Sequence, residues 1–203
     1  MAVVDSTGKV SAKGAGEAII TATAKDGSMV KDQCRVKVGY RITYKLNKGT
    51  NAPANPSIYI SDQLIKLKKP SRKGYYFSGW YKDRKFKKKI TRISKGTKGN
   101  QTVYAKWSRV KTEKVNNLEL AGKKKGKLKV RFQKVSKASG YQIVYAANKK
   151  FKKSRKIDVT RTSKTISKLK KGIYYVKVRA YKKDSKNAKV YGKYSIVKSI
   201  RIK

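Results

Sequence analysis

The 203-residue sequence has no histidine and one cysteine, Cys34. Without histidine the usual catalytic triads, the commonest general base and most metal sites are excluded. A single cysteine allows no disulfide within the chain, and a thiolate metal site needs several Cys or His ligands. Cys34 shares a strand face with Val36 and Val38, so it is expected as a buried, small, apolar residue. Acidic residues are also scarce, 10 Asp and Glu against 56 Lys and Arg. They fall mostly in turns (Asp5, Asp26, Asp62, Asp83, Asp184) or at strand positions expected to face solvent (Asp32, Asp158). No two carboxylates are placed to work across a cleft, as glycoside hydrolysis requires. There is no phosphate-cradling Gly loop followed by Lys-Ser/Thr, and no apolar run approaches a membrane-spanning length. Met1 to Asp5 lacks the basic start and apolar stretch of a signal peptide, and Ile202-Lys203 carries no sorting signal. An exported parent would make this chain a fragment of it. The expectation is a non-enzyme without metal or cofactor.

What the sequence does have is positive charge. The formal net charge is +46, spread as +2 over residues 1–40, +16 over 41–107 and +28 over 108–203. A field of that size favours polyanions such as nucleic acid, anionic lipid or acidic wall polymers. Disorder does not follow from it, because the cations alternate with apolar residues at strand period. Lys127, Lys129 and Arg131 interleave with Leu128, Val130 and Phe132; Lys177 and Arg179 interleave with Val176, Val178 and Ala180. These are solvent faces of ordered strands.

The densest aromatic run is Gly74-Tyr75-Tyr76-Phe77-Ser78-Gly79-Trp80-Tyr81, answered by Tyr104-Ala105-Lys106-Trp107. Strand alternation predicts Tyr75, Phe77, Gly79 and Tyr81 on one face and Tyr76, Ser78 and Trp80 on the other. Phe77, Trp80 and Trp107 are expected in the core of a small domain, as are Phe132 and Tyr174 further along. The alternative is a sugar-stacking platform of Trp80, Tyr81 and Trp107, which needs their rings exposed.

Three stretches carry family resemblances. Val4 to Val10, Gly14-Ala15-Gly16 and Ile19 to Ala24 resemble the C-terminal half of a bacterial immunoglobulin-like group 2 domain, whose N-terminal strands are absent. Ile42 to Thr50, Pro70 to Tyr75, Gly79-Trp80-Tyr81 and Tyr104 to Trp107 resemble the Listeria–Bacteroides repeat, which implies a β-grasp module. Lys48 stands where that family more often has a second turn glycine. Ala138 to Tyr145, Leu169…Gly172…Tyr174 to Tyr181 and Tyr191-Gly192-Lys193-Tyr194-Ser195 resemble a fibronectin type III domain. There Tyr174 takes the corner-tyrosine position and Phe132 replaces a usual Trp. No Arg-Gly-Asp supports integrin-type adhesion.

The expected fold class is therefore mostly all-β, in tandem small modules. Residues 1–39 form half an immunoglobulin-like sandwich, with one apolar face uncovered and the lowest stability. Residues 40–107 form the β-grasp-like repeat, with Ile65 and Leu67 in its second strand. Residues 108–203 hold a short linker and a seven-stranded fibronectin-like sandwich.

The resemblances imply a non-catalytic stalk or spacer and adhesion-type segment of an extracellular protein, on a bacterial surface (Gram-positive) or secreted. Lys85, Lys87, Lys88 and Lys89, and Lys149, Lys150, Lys152 and Lys153, are the candidate contacts to an anionic wall polymer such as teichoic acid or to a host or polysaccharide surface. Lys123 to Lys125 and Lys168, Lys170 and Lys171 are further basic clusters. A nonspecific nucleic-acid or heparin binder is the other alternative. Specific nucleic-acid readout is not expected, since no helix-turn-helix, zinc finger or single-strand aromatic platform is present. The chain is expected to be monomeric.

Overall fold

The structure is a computed structural model that describes residues 2–122 and 124–203. Among them it contains strands and no helix. The chain divides into two compact units: the residues up to Arg72 with Phe77–Ser108, and Lys73–Tyr76 with Arg109–Lys203.

The first unit opens with two hairpins, each its own two-stranded sheet. Ala2–Val4 pairs with Val10–Ala12, and Gly16–Thr23 pairs with Lys31–Val38. Their turns are built by aspartates. The Asp5 carboxylate accepts the Thr7 and Lys9 N–H groups, both at 3.0 Å, and Asp26 accepts the Ser28 N–H at 3.0 Å. Ala18 and Ile20 lie opposite Val36 and Cys34. No described residue from 2 to 41 is buried. Cys34 is exposed, contrary to the burial that its alternation predicts, because no second sheet covers this face.

The rest of the unit centres on a five-stranded mixed sheet. Its spatial order is Ile58–Tyr59, Tyr40–Lys45, Gln101–Arg109, Tyr75–Tyr81, Lys89–Ile90. Counted along the chain within this sheet, the order is 2-1-5-3-4, with the central pair parallel. That is the β-grasp order, here without the crossover helix. The second strand is Ile58–Tyr59, not the expected Ile65–Leu67. Ile65–Lys66 instead pairs with Arg92–Ile93 in a small separate sheet. Ile42, Tyr59, Trp80, Ile93, Val103 and Ala105 form the buried core.

The aromatic strand departs from simple alternation. Phe77 and Trp80, predicted on opposite faces, pack edge-to-face at 5.4 Å in the same cluster. The reason is Gly79, whose φ of 136° lies outside the range that a side-chain-bearing residue favours. This break in the pleat turns Trp80 back to the core side of Phe77.

The second unit is a sandwich of seven strand positions. One sheet holds Glu119–Ala121, Leu128–Arg131 and Ser163–Ile166. The other holds Arg155–Val159, Gly140–Ala146 and Gly172–Lys183, with Lys189–Tyr191 and Lys198–Ile202 successively pairing the two halves of the long strand. Inward residues of both sheets, among them Val115, Leu128, Val130, Ile143, Val176, Val178 and Ile202, make one core. Phe132 lies in it, its ring 4.7 Å from that of Tyr141. The Tyr174 hydroxyl donates to the Lys170 carbonyl at 3.2 Å, the bond of a tyrosine corner. Lys73–Tyr76 count with this unit through backbone bonds: Val110 N–H to the Gly74 carbonyl and Ser185 N–H to the Tyr75 carbonyl, both 2.9 Å.

Candidate polyanion-binding surfaces

Both predicted lysine clusters lie on turns of one design, each following a strand that ends beside a tyrosine. In Asp83-Arg84-Lys85-Phe86-Lys87-Lys88 the Asp83 carboxylate accepts the Lys88 N–H at 2.7 Å and the Lys87 N–H at 3.1 Å. In Asn148-Lys149-Lys150-Phe151-Lys152-Lys153 the Asn148 side chain accepts the Lys152 N–H and donates to the Lys152 carbonyl, both at 2.9 Å. The first and fourth residues are also joined through the backbone, Phe86 N–H to the Asp83 carbonyl and Phe151 N–H to that of Asn148. Each phenylalanine takes a φ of 55°, an uncommon value for a bulky residue.

The rings explain why the backbone holds there. Phe86 packs edge-on against Tyr81 at 5.4 Å, with the Lys106 ammonium 5.4 Å from both centroids. Phe151 lies 4.1 Å from the Lys177 ammonium. A half-buried ring anchors each turn, and the lysines around it face solvent. Lys85, Lys87, Lys88, Lys89, Lys149, Lys150, Lys152 and Lys153 are all exposed. Sequence reasoning located these lysines but missed the shared turn; the signal was the recurring Asp/Asn-x-x-Phe-Lys pattern.

Carboxylates near the lysines serve the fold. Backbone N–H groups of Lys88 and Lys87 hold the Asp83 carboxyl below its ordinary range. Asp184 is buried, which alone would raise its pKa, but the N–H groups of Gly74, Ala188 and Lys186 outweigh that and lower it. Their distances are 2.7, 2.9 and 2.8 Å. Asp158 bonds the Lys189 ammonium at 2.6 Å and raises its pKa.

Arg179 is held by both hydrogen bonds and aromatic rings. Its guanidinium donates twice to the side-chain amide oxygen (Oε1) of the buried Gln142, at 3.1 and 2.7 Å, and stacks 3.7 Å from the Tyr191 ring. Lys177 sits 4.5 Å from Tyr194, and Arg179 lies 4.6 Å from the same ring. These two cations are spent on aromatic faces.

The aromatic platform does not form. Trp80 is 2% exposed and its indole N–H donates to the Lys68 carbonyl at 2.9 Å. Trp107 is half-buried, donates to the Leu46 carbonyl at 2.9 Å and packs edge-on against Phe77. Tyr81 is half-buried and taken up by Phe86 and Lys106. Sugar stacking on Trp80, Tyr81 and Trp107 is therefore unsupported. Sequence reasoning also passed over Asn55. It is buried, and its amide bonds both the Lys68 N–H (2.7 Å) and carbonyl (3.1 Å), standing in for a backbone bridge.

Among the described residues, no three His, Cys, Asp or Glu side chains are grouped to hold a metal ion. No helix is long and apolar enough to cross a membrane.

Residues 40–106 match the family model of the Listeria-Bacteroides repeat domain. The match spans the β-grasp sheet except the last three residues of the strand Gln101–Arg109, and ends just before Trp107. It is the repeat that the ordered motifs from Ile42 onward resemble. Among solved structures, the fn3 domain of human contactin 1 aligns at 19% identity over 46% of this chain and 83% of its own, with a TM-score of 0.37. The chicken CNTN1 FN1–FN3 domains align at 16% identity over 85% of this chain and 71% of theirs, with a TM-score of 0.42. Rat CD45 extracellular domains d3–d4 align at 11% identity over 90% and 94%, with a TM-score of 0.36. A comparison with curated protein sequences finds no significant match. The strand order of residues 119–202 carries the assignment of that unit by itself.

Proposed function

We propose that this chain is a non-catalytic stalk and adhesion-type segment of a bacterial surface or secreted protein, retained on anionic wall polymers through its lysines. The observation that carries the reading is the repeat match over residues 40–106, followed in the same chain by a two-sheet sandwich. Small β-modules in series give reach, and their faces do not require a pocket to act as spacers. The Phe86 turn with the adjoining strand residue Lys89, and the Phe151 turn, each present four exposed ammonium groups on a defined backbone, which suits contact with a flexible polymer better than a disordered tail would.

Binding of the chain to purified Gram-positive walls, with and without teichoic acid and across a salt series, tests this reading. Binding that falls with salt and with removal of the polymer is expected. Indifference to both would reduce the chain to a spacer.

A further inference from the structure

One concave basic surface includes none of the lysines of the two predicted clusters. The outer face of the sheet Glu119–Ala121, Leu128–Arg131 and Ser163–Ile166 is hollowed into a groove of about 520 Å³, lined by Glu119, Leu120, Ala121, Lys124, Lys127, Lys129, Arg131 and Thr165. A second hollow of about 410 Å³ shares Glu119 and Arg131 with it, so the concavity continues along the strand. Strand alternation places Lys127, Lys129 and Arg131 in one row, while Leu128 and Val130 point into the core. Pairing sets Ala121 and Thr165 on either side of Lys129, and Glu119 and Ser163 on either side of Arg131. The row is therefore a cationic rail with small or polar walls. None of its three cations is in an ion pair with a described residue.

We propose that this rail binds a linear phosphodiester polymer built on a small polyol. Alternate strand residues stand roughly 6.5–7 Å apart, a span that six covalent bonds between successive phosphorus atoms of a three-carbon polyol phosphate can match. No aromatic ring lines the 520 Å³ groove, and Phe132, which borders the second hollow, is buried in the core, so bases have no exposed ring on which to stack; this disfavours single-stranded nucleic acid. The rail deepens the wall-retention reading above and rests on it. It names a site on the sandwich unit where that reading named only exposed turns.

The test is an anisotropy titration of the full chain with a labelled glycerol-phosphate oligomer across a salt series. Two triple variants remove equal charge: K127Q/K129Q/R131Q in the groove and K149Q/K150Q/K152Q on the Phe151 turn. All six positions are exposed, and thermal melts confirm that each variant folds. The groove triple is expected to bind roughly tenfold or more weakly, with the log–log salt slope reduced by about 2, and the turn triple to lose less than about threefold. Glu119→Gln, which removes the groove's one acid, is expected to tighten binding a few fold. Equal losses from the two triples would overturn the groove while leaving charge-based retention in place. Tighter groove-dependent binding of oligo-dT or of a sulfated glycan would overturn the polyol-phosphate assignment. No binding by the unaltered chain to any of these anions would overturn both the groove and the retention reading.

Discussion

Residues 2–38 and residues 113–203 carry the same kind of alternating pattern, yet only the second stretch makes a core. In the first, Ala18, Ile20, Cys34 and Val36 share a face of a two-stranded sheet, and none is buried. Ile19, on the opposite face, is 60% exposed. In the second, two sheets face each other and Ile143, Val176 and Val178 are sealed between them. Alternation assigns residues to faces. Whether a face becomes an interior depends on a second sheet, because the hydrophobic gain scales with the area actually removed from water.

Deletion of a buried side chain should break that comparison most strongly. Ile143→Ala is expected to lower stability by about 3–4 kcal/mol, read from the urea midpoint of the C-terminal unit. Asp184→Ala should cost about 2–3 kcal/mol, since it strands three backbone donors at a buried position. The same carboxylate sharpens the contrast through pH. Its folded pKa is depressed, so its stabilisation is present above the unfolded value of about 3.9 and is lost as pH falls through the lower folded value. Asp184→Ala should flatten that acid-side loss in thermal melts. Smallest of all, Ile20→Ala is expected to change stability by less than about 0.5 kcal/mol. Cys34 in the same hairpin should react with a thiol reagent in native buffer about as fast as in denaturant, and strong protection would show that this face is covered after all.

Most of the fold is legible in the sequence. The repeat strands at 40–45 and 101–109 and the sandwich strands from 119 to 202 follow from alternation and turn residues. Three errors share a cause. Ile65–Lys66 pairs with Arg92–Ile93, Trp80 crosses to the face of Phe77, and Cys34 lies open. Each depends on which partner a strand meets, information that local pattern does not contain. The departure at Lys48 was legible in part: Asn47 and Lys48 both take positive φ, 49° and 68°, the region where glycine fits best. For the candidate sites the division is similar. The lysine runs were visible as composition, whereas their phenylalanine anchors and the Lys127–Arg131 rail required backbone angles and strand registers.

The sequence by itself determined that this protein is a chain of β-modules, strongly basic, without the side chains for the usual histidine-dependent catalysis. Those properties follow from residue type and period, which act over a few positions. Tertiary structure alone decided that Gly79 would turn Trp80 inward, that Asn55 would bridge Lys68, and that Lys127, Lys129 and Arg131 would line a groove. Those outcomes depend on residues brought together from distant positions, and close packing admits only the arrangements in which their shapes and hydrogen bonds fit.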